Sequence, residues 1–153
     1  MAAREPPLRI LVVDDHDVVH WGFRLMLSEL SWVERCLAAR TAAEAVALTR
    51  RYAPDVALVD LFVGEASGAE ICERLLGEQP GLRVLLISGA GRISPAAARE
   101  CGAAGFIPKD WPAVDIARAV RMVGKGMSVF EEAAEGAPAE LSEREREVLR
   151  GIA

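Results

Sequence analysis

Short aliphatic runs alternate with amphipathic stretches through the first 125 residues. Residues 9–13, Arg-Ile-Leu-Val-Val, form a β-branched run that ends directly on Asp14-Asp15. From residue 17 to about residue 30, Val19, Phe23, Met26 and Leu30 recur at helical spacing, with Gly22 expected to let that helix approach a sheet closely. Residues 33–39 predict a weaker strand. Thr41 is placed to cap a helix running to Tyr52, with Glu44 completing a capping box and Ala45, Leu48 and Tyr52 on one face; Pro54 stops it. Residues 55–60, Asp-Val-Ala-Leu-Val-Asp, are an apolar run bounded by carboxylates, the composition of a strand buried on both faces of a parallel sheet. A loop over 61–67 holds Gly64. A helix follows from Gly68 to about Leu76, with Ile71, Leu75 and Leu76 inward, and Pro80-Gly81 makes a turn. Residues 83–87 predict a fourth strand, ending on Ser88-Gly89. Ser94-Pro95 starts a helix that Gly102 ends. Residues 105–108 predict a fifth strand, its Pro108 arguing for an edge position. A final helix over 112–123 turns Ile116, Ala119, Val120 and Val123 inward.

Five strand–helix alternations imply crossover connections, and so an α/β fold: a doubly wound parallel sheet of five strands in the order 2-1-3-4-5. The switch point then falls between the strands ending in Asp14-Asp15 and in Asp60. At 153 residues, 52% hydrophobic and 27% charged, the chain is sized for one globular domain with a real core and a little more. No apolar run approaches the roughly 20 residues of a membrane span, and the first seven residues lack the apolar centre of a signal peptide, so the expected address is cytoplasmic with no membrane partner. Cys36, Cys72 and Cys101, odd in number and set among aliphatic residues, are expected to be buried free thiols.

The pattern breaks at Gly124. The expected boundaries are 8–125 for the domain, 126–140 for an Ala/Glu-rich linker, and 141–153 for the start of a second domain, where Ser142 and Glu145 form a capping box. Residues 1–125 hold 15 Lys and Arg against 16 Asp and Glu, and residues 126–153 hold 3 against 7. Neither part is basic enough for a nucleic-acid surface by charge alone.

Three carboxylates at adjacent strand ends, Asp14, Asp15 and Asp60, would repel one another unless pKa values rise or a cation binds. Oxygen ligation of this kind suits Mg²⁺, which keeps several waters and favours a phosphate as a further ligand. Lys109 and Ser88 end neighbouring strands and bring a cation and a hydroxyl to the same rim. Together these make a site for a phosphoryl group carried with Mg²⁺, with Asp60 as candidate nucleophile. Each residue also has an ordinary reading. Such an Asp usually caps a helix or closes a turn, Ser88 suits a turn, Lys109 a solvated surface and Phe106 a core. His16 and His20 are expected at the surface, and no Cys or His stands at zinc-ligand spacing.

Val12-Val13-Asp14-Asp15, Leu58-Val59-Asp60, Leu86-Ile87-Ser88 and residues 105–110, Gly-Phe-Ile-Pro-Lys-Asp, in this order and spacing, resemble the receiver domain of a two-component response regulator over about residues 8–125. Asp14-Asp15-His16-Asp17 before a Gly-containing helix, and the tail from Leu141 to Leu149, are similar to the NarL/FixJ subfamily, whose output is a LuxR-type helix-turn-helix DNA-binding domain. The resemblance implies a flavodoxin-like (βα)5 receiver fold in which Asp60 accepts phosphate from a sensor histidine kinase. Asp15, Asp60 and the backbone carbonyl of Phe62 would bind Mg²⁺ directly, and Asp14 would act through water. Lys109 would pair with phosphoryl oxygens, Ser88 would swing in to the phosphoryl group, and Phe106 would turn inward behind it. It further implies a homodimer on phosphorylation, and contact with DNA only through the output domain. The helix that would enter a major groove is not in this sequence, so the chain as given is not expected to bind DNA specifically.

The sequence departs from the family pattern after Asp60. Val63-Gly64 stand where Met-Pro is usual, which should loosen the loop, and Phe62 sets a large ring where many relatives are polar, with slow phosphate loss as the expected effect. The altered loop keeps open a second reading, a receiver-like dimerisation module that works without phosphate. A phosphatase of the haloacid dehalogenase type, a turnover enzyme, would want its nucleophile on the first strand and a late acidic motif. Here the late positions hold Lys109 and a linker. An acidic first loop likewise disfavours a flavodoxin-like nucleotide binder.

Overall fold

The computed structural model describes residues 6–89 and 95–130. Six strands form one parallel sheet: β1 (Leu8–Val13), β2 (Val33–Ala39), β3 (Val56–Asp60), then, after a small separate hairpin of β4 (Phe62–Val63) and β5 (Ala66–Ser67), β6 (Arg83–Ser88), β7 (Gly105–Pro108) and β8 (Val129–Phe130). Their order across the sheet is β2-β1-β3-β6-β7-β8. The helices are α1 (Asp17–Ser28), α2 (Ala42–Tyr52), α3 (Gly68–Glu78), α4 (Pro95–Glu100) and α5 (Ala113–Gly124).

The unbroken apolar runs follow from helices covering both faces. Along β1, β3 and β6 alternate residues go to opposite sides: Leu11, Val13, Ala57, Val59, Val84 and Leu86 join α2, α3 and α4 in one core. Ile10, Val12, Val56, Leu58, Leu85 and Ile87 join α1 and α5 in the other. All five residues of β3 are buried. At about 1.5–3 kcal/mol for each large aliphatic side chain removed from water, these central strands supply much of the drive to fold. The expected strand order therefore holds, and Asp14 and Asp60 end adjacent strands.

Several local expectations are corrected. Val129-Phe130, assigned to the linker, instead extends the sheet beyond β7. The edge position read from Pro108 survives only in part: β8 pairs with Gly105 and Phe106, and among the described residues no strand pairs with the Pro108 end of β7 on that side. The 61–67 loop is a β4–β5 hairpin, too short to carry a periodic signal. Gly22 is exposed with open space about it. The close approach occurs instead at Gly105, where a Cβ would meet the Val129 carbonyl, and at Gly124, where it would meet Leu8. Leu27, not singled out by the spacing, is fully buried in α1, alone among that helix's described side chains, with Phe23, Met26 and Leu30 partly buried beside it. Thr41 caps α2 by accepting from the Glu44 N–H at 3.1 Å, but the Glu44 carboxylate accepts from Arg40, so no reciprocal box forms. The full capping box is at α3, between Ser67 and Glu70. The inward face of α2 is Ala45, Val46 and Thr49, with Leu48 and Tyr52 only partly buried. All three cysteines are buried and free. The Ser94 cap, the remainder of the linker, the Ser142–Glu145 box and the side chains of Val19, His20 and Trp21 lie outside the described residues. No described helix is long and apolar enough to cross a membrane.

Candidate functional site

The carboxyl ends of β1, β3, β6 and β7 bring together most of the residues selected from the sequence. Asp14 is fully buried, and Asp60 and Ser88 are each 5% exposed. The Lys109 N–H donates to the Ser88 carbonyl at 2.8 Å, which fixes the start of the Lys109 side chain beside β6. From there Lys109 Nζ reaches Asp14 Oδ2 at 2.6 Å and Asp60 Oδ2 at 3.0 Å. The contact with Asp60 is a hydrogen bond, whereas that with Asp14 is an ion pair without hydrogen-bond alignment. Phe106 is buried in the core shared with α2, α3 and α4, the ordinary placing weighed for it.

Asp15 lies further out. Its Oδ2 accepts from the Gly64 N–H at 2.8 Å, while its Oδ1 is buried and receives no hydrogen bond. His16, read as a surface residue, is exposed as a side chain but turns Nδ1 into the acidic group, 2.9 Å from Asp14 Oδ1, 3.3 Å from Asp15 Oδ1 and 3.8 Å from Asp60 Oδ2. Its own N–H also donates to Asp14 Oδ1 at 2.9 Å. The signal for it was adjacency: a residue directly after two strand-end carboxylates shares their loop.

The charges respond to this crowding. Burial pushes Asp60 upward, and the neighbouring Asp14 charge adds to that push; Lys109 and the Phe62 N–H oppose it, and the carboxyl remains above its ordinary value. Burial also acts to raise Asp14, but the close Lys109 ammonium and the bonds from His16 together outweigh it and hold that carboxyl below the usual range. Lys109 is penalised by burial, yet its two carboxylate partners raise it, so it stays charged. His16 is raised, chiefly by its bond to Asp14.

Ligand atoms of Asp14, Asp15, His16 and Asp60 lie within 4.8 Å of one another. Three carboxylates against one lysine leave an excess of negative charge, and Asp14 Oδ2 and Asp15 Oδ1 are buried without hydrogen bonds. A hard divalent cation with oxygen ligands fits that deficit. The sequence reading missed Gly68 as a positioning residue: a Cβ there would collide with the Asp60 carbonyl oxygen and lie 2.9 Å from Leu61 Cα, so only glycine lets α3 begin against the backbone of Asp60. Phe62 is 63% exposed and leaves most of its ring to solvent, so the ring does not enclose Asp60 in this state.

A profile of the response regulator receiver domain matches residues 10–121. The DNA-binding transcriptional activator DevR/DosR of Mycobacterium tuberculosis is 33% identical over 131 residues, covering 85% of this chain and 60% of that protein. Response regulator GacA of Pseudomonas aeruginosa is 30% identical over 120 residues, covering 78% and 56%. The chain thus spans about three fifths of the length of these curated relatives. Among solved structures, a LuxR-family two-component response regulator from Aurantimonas sp. SI85-9A1 superposes with a TM-score of 0.78 at 25% identity, over 88% of this chain and 96% of that one. The signal receiver domain of the response regulator NarL from Mycobacterium tuberculosis gives 0.69 at 33% identity, over 80% and 99%. The rim of carboxylates with its one lysine thus sits on a fold and a sequence that agree: this chain belongs to the response regulator receiver domain family.

Proposed function

We propose that this chain is the phosphoacceptor module of a two-component transcriptional regulator of the NarL/FixJ type, taking a phosphoryl group from a sensor histidine kinase onto Asp60. The observation that carries this reading is Lys109 Nζ held 3.0 Å from a nearly buried Asp60 carboxylate, within an acidic cluster where two buried carboxylate oxygens accept no hydrogen bond. Asp15, Asp60 and the Phe62 carbonyl would hold Mg²⁺ directly and Asp14 through water. When bound, that ion would neutralise the incoming phosphoryl charge and align the donor. Asp60 does the bond-making: one carboxylate oxygen joins phosphorus as the bond from phosphorus to the donor's imidazole nitrogen breaks, leaving the donor a free imidazole. Lys109 then exchanges carboxylate contact for phosphoryl oxygens, and the buried Ser88 supplies a hydroxyl donor to the same group. Such new bonds, with Phe106 repacking behind Ser88, bias the fold toward a state that dimerises and releases the DNA-binding output. The chain holds about one phosphate and is not a turnover enzyme.

The test is phosphorylation by acetyl phosphate, read by intact mass. One phosphate is expected on the wild type with Mg²⁺, and none on Asp60→Asn or in EDTA. No phosphate from acetyl phosphate or from a histidine kinase donor would defeat the reading and favour a dimerisation module that works without phosphate. Many phosphates released per chain would favour a phosphatase.

A further inference from the structure

The β4–β5 hairpin directs a backbone donor at a carboxylate: the Gly64 N–H donates to Asp15 Oδ2 at 2.8 Å. The residue before it, Val63, is 3% exposed, seated in the core with α2, α3 and α4. At the far end the Gly68 N–H donates to the Leu61 carbonyl at 2.6 Å. The hairpin is therefore pinned from below and at its base, and Gly64 is a fixed point from which a donor is presented.

From this geometry we infer that Gly64 is a positioning residue for cation binding: its N–H fastens one oxygen of Asp15 so that the other, Oδ1, faces the cation. Asp15 is the most exposed of the three carboxylates, and its side chain would otherwise exchange among rotamers. With Oδ2 engaged by Gly64, Oδ1 lies buried and without a hydrogen bond, inside the group whose ligand atoms fall within 4.8 Å of one another. A donor that holds one oxygen of a carboxylate while the second ligates is the outer-shell device that commonly sets metal affinity. The position demands two properties at once. It needs an N–H, which proline lacks, and it needs φ of +61°, which favours glycine and which asparagine tolerates. A Cβ at Gly64 meets nothing within 4 Å, so space does not restrict the residue. The exchange of proline for glycine at this position thus does more than loosen a loop, because it supplies a donor.

This inference rests on the proposed metal site, and the experiment separates the two. Mg²⁺ binding to the unphosphorylated chain is measured by calorimetry on the wild type, Gly64→Pro and Gly64→Asn, with a urea unfolding curve in EDTA for each. Gly64→Pro is expected to bind Mg²⁺ about 10- to 100-fold more weakly, the range for losing a group that orients a metal ligand. Gly64→Asn, which keeps the N–H and suits the backbone, is expected to stay within about 3-fold of wild type. A proline variant that binds as wild type does, or an asparagine variant as weak as the proline one, overturns the role of Gly64 while leaving the metal site standing. A wild type that binds no Mg²⁺ overturns both. If the proline variant does not fold, hydrogen exchange of the Gly64 amide in the wild type decides. Protection without metal that persists with Mg²⁺ supports the inference, and free exchange in either condition overturns it.

Discussion

The two rims of the one parallel sheet both carry charge, and they handle it in opposite ways. At the amino end, Asp55 precedes β3 and its Oδ2 accepts from the Arg9 N–H at 2.8 Å. The Arg9 side chain meets Glu34 at 3.3 Å and the Tyr52 carbonyl at 2.7 Å. Two carboxylates stand there against one arginine, but each has a hydrogen-bond partner, and the Arg9 and Glu34 side chains are more than 40% exposed, so water screens them. At the carboxyl end, Asp60 closes the same strand among Asp14, Asp15 and His16, with Lys109 to offset them, and two carboxylate oxygens have no hydrogen bond. Two aspartates five residues apart thus have different work. Asp55 ties down the start of β3, while Asp60 stands in a buried excess of negative charge that only a further cation or a proton would relieve. Burial of the excess charge, more than the presence of acids, separates the candidate functional rim from the structural one.

The largest effect that could break this contrast comes from removing the carboxyl rim's lysine. Lys109→Met should leave Asp14 and Asp60 buried without their cation and lower stability by about 3 kcal/mol, as when one partner of a buried ion pair is removed. Urea midpoints in EDTA measure the loss, and saturating Mg²⁺ should recover part of it. A loss below about 1 kcal/mol would mean that Lys109 balances little of the charge at this rim.

Next in size is steric. Gly68→Ala drives a Cβ into the Asp60 carbonyl oxygen, and overpacking of this kind costs about 1–3 kcal/mol. Because the collision is with the backbone of the proposed phosphoacceptor Asp60, acetyl phosphate labelling should slow as well. An alanine variant with unchanged stability and labelling would show that α3 can retreat freely from Asp60.

These two residues also mark what the sequence could and could not convey. Lys109 was legible because a strand end followed by a cation is a pattern along the chain, and the β3 and β6 runs were legible because burial on both faces leaves no polar residue to blur them. Gly68 was not, since its constraint is a carbonyl oxygen eight residues earlier, brought back by the hairpin. Gly22 drew the opposite error: a helical glycine suggests close approach, but here it faces open space. The two-residue β8 and the bond from Gly64 to Asp15 are likewise products of tertiary closure, without periodicity to announce them.

The third prediction concerns pH. Asp60 titrates above its ordinary value in the fold, so its contribution is fully present below the unfolded pKa and is lost as pH rises through the folded one. Asp14, held low, contributes above its unfolded pKa and loses that as pH falls through its lowered value. At pH 7 without metal, Asp60→Asn should therefore be more stable than wild type, since it removes the costly charge while Lys109 keeps Asp14. The advantage should shrink as pH falls toward and through the folded Asp60 pKa. Urea unfolding in EDTA across that range measures it. A constant gap, or a less stable asparagine variant at pH 7, would mean that the Asp60 charge is relieved as fully as that of Asp55.

The smallest effect belongs to the other rim. Glu34→Gln removes the charge facing Arg9, but that pair is 3.3 Å apart and both side chains are more than 40% exposed, so water already screens them. Arg9 keeps its bond to the Tyr52 carbonyl, and its N–H keeps Asp55. The change should cost less than about 0.5 kcal/mol, shrink further in high salt, and leave phosphate labelling of Asp60 untouched. A loss above 1 kcal/mol that persisted in salt would mean that the amino rim is as tightly coupled as the carboxyl rim. Burial of charge would then no longer tell the two ends of the sheet apart, because a screened pair should tolerate losing one member where the buried Lys109 cluster does not tolerate losing its cation.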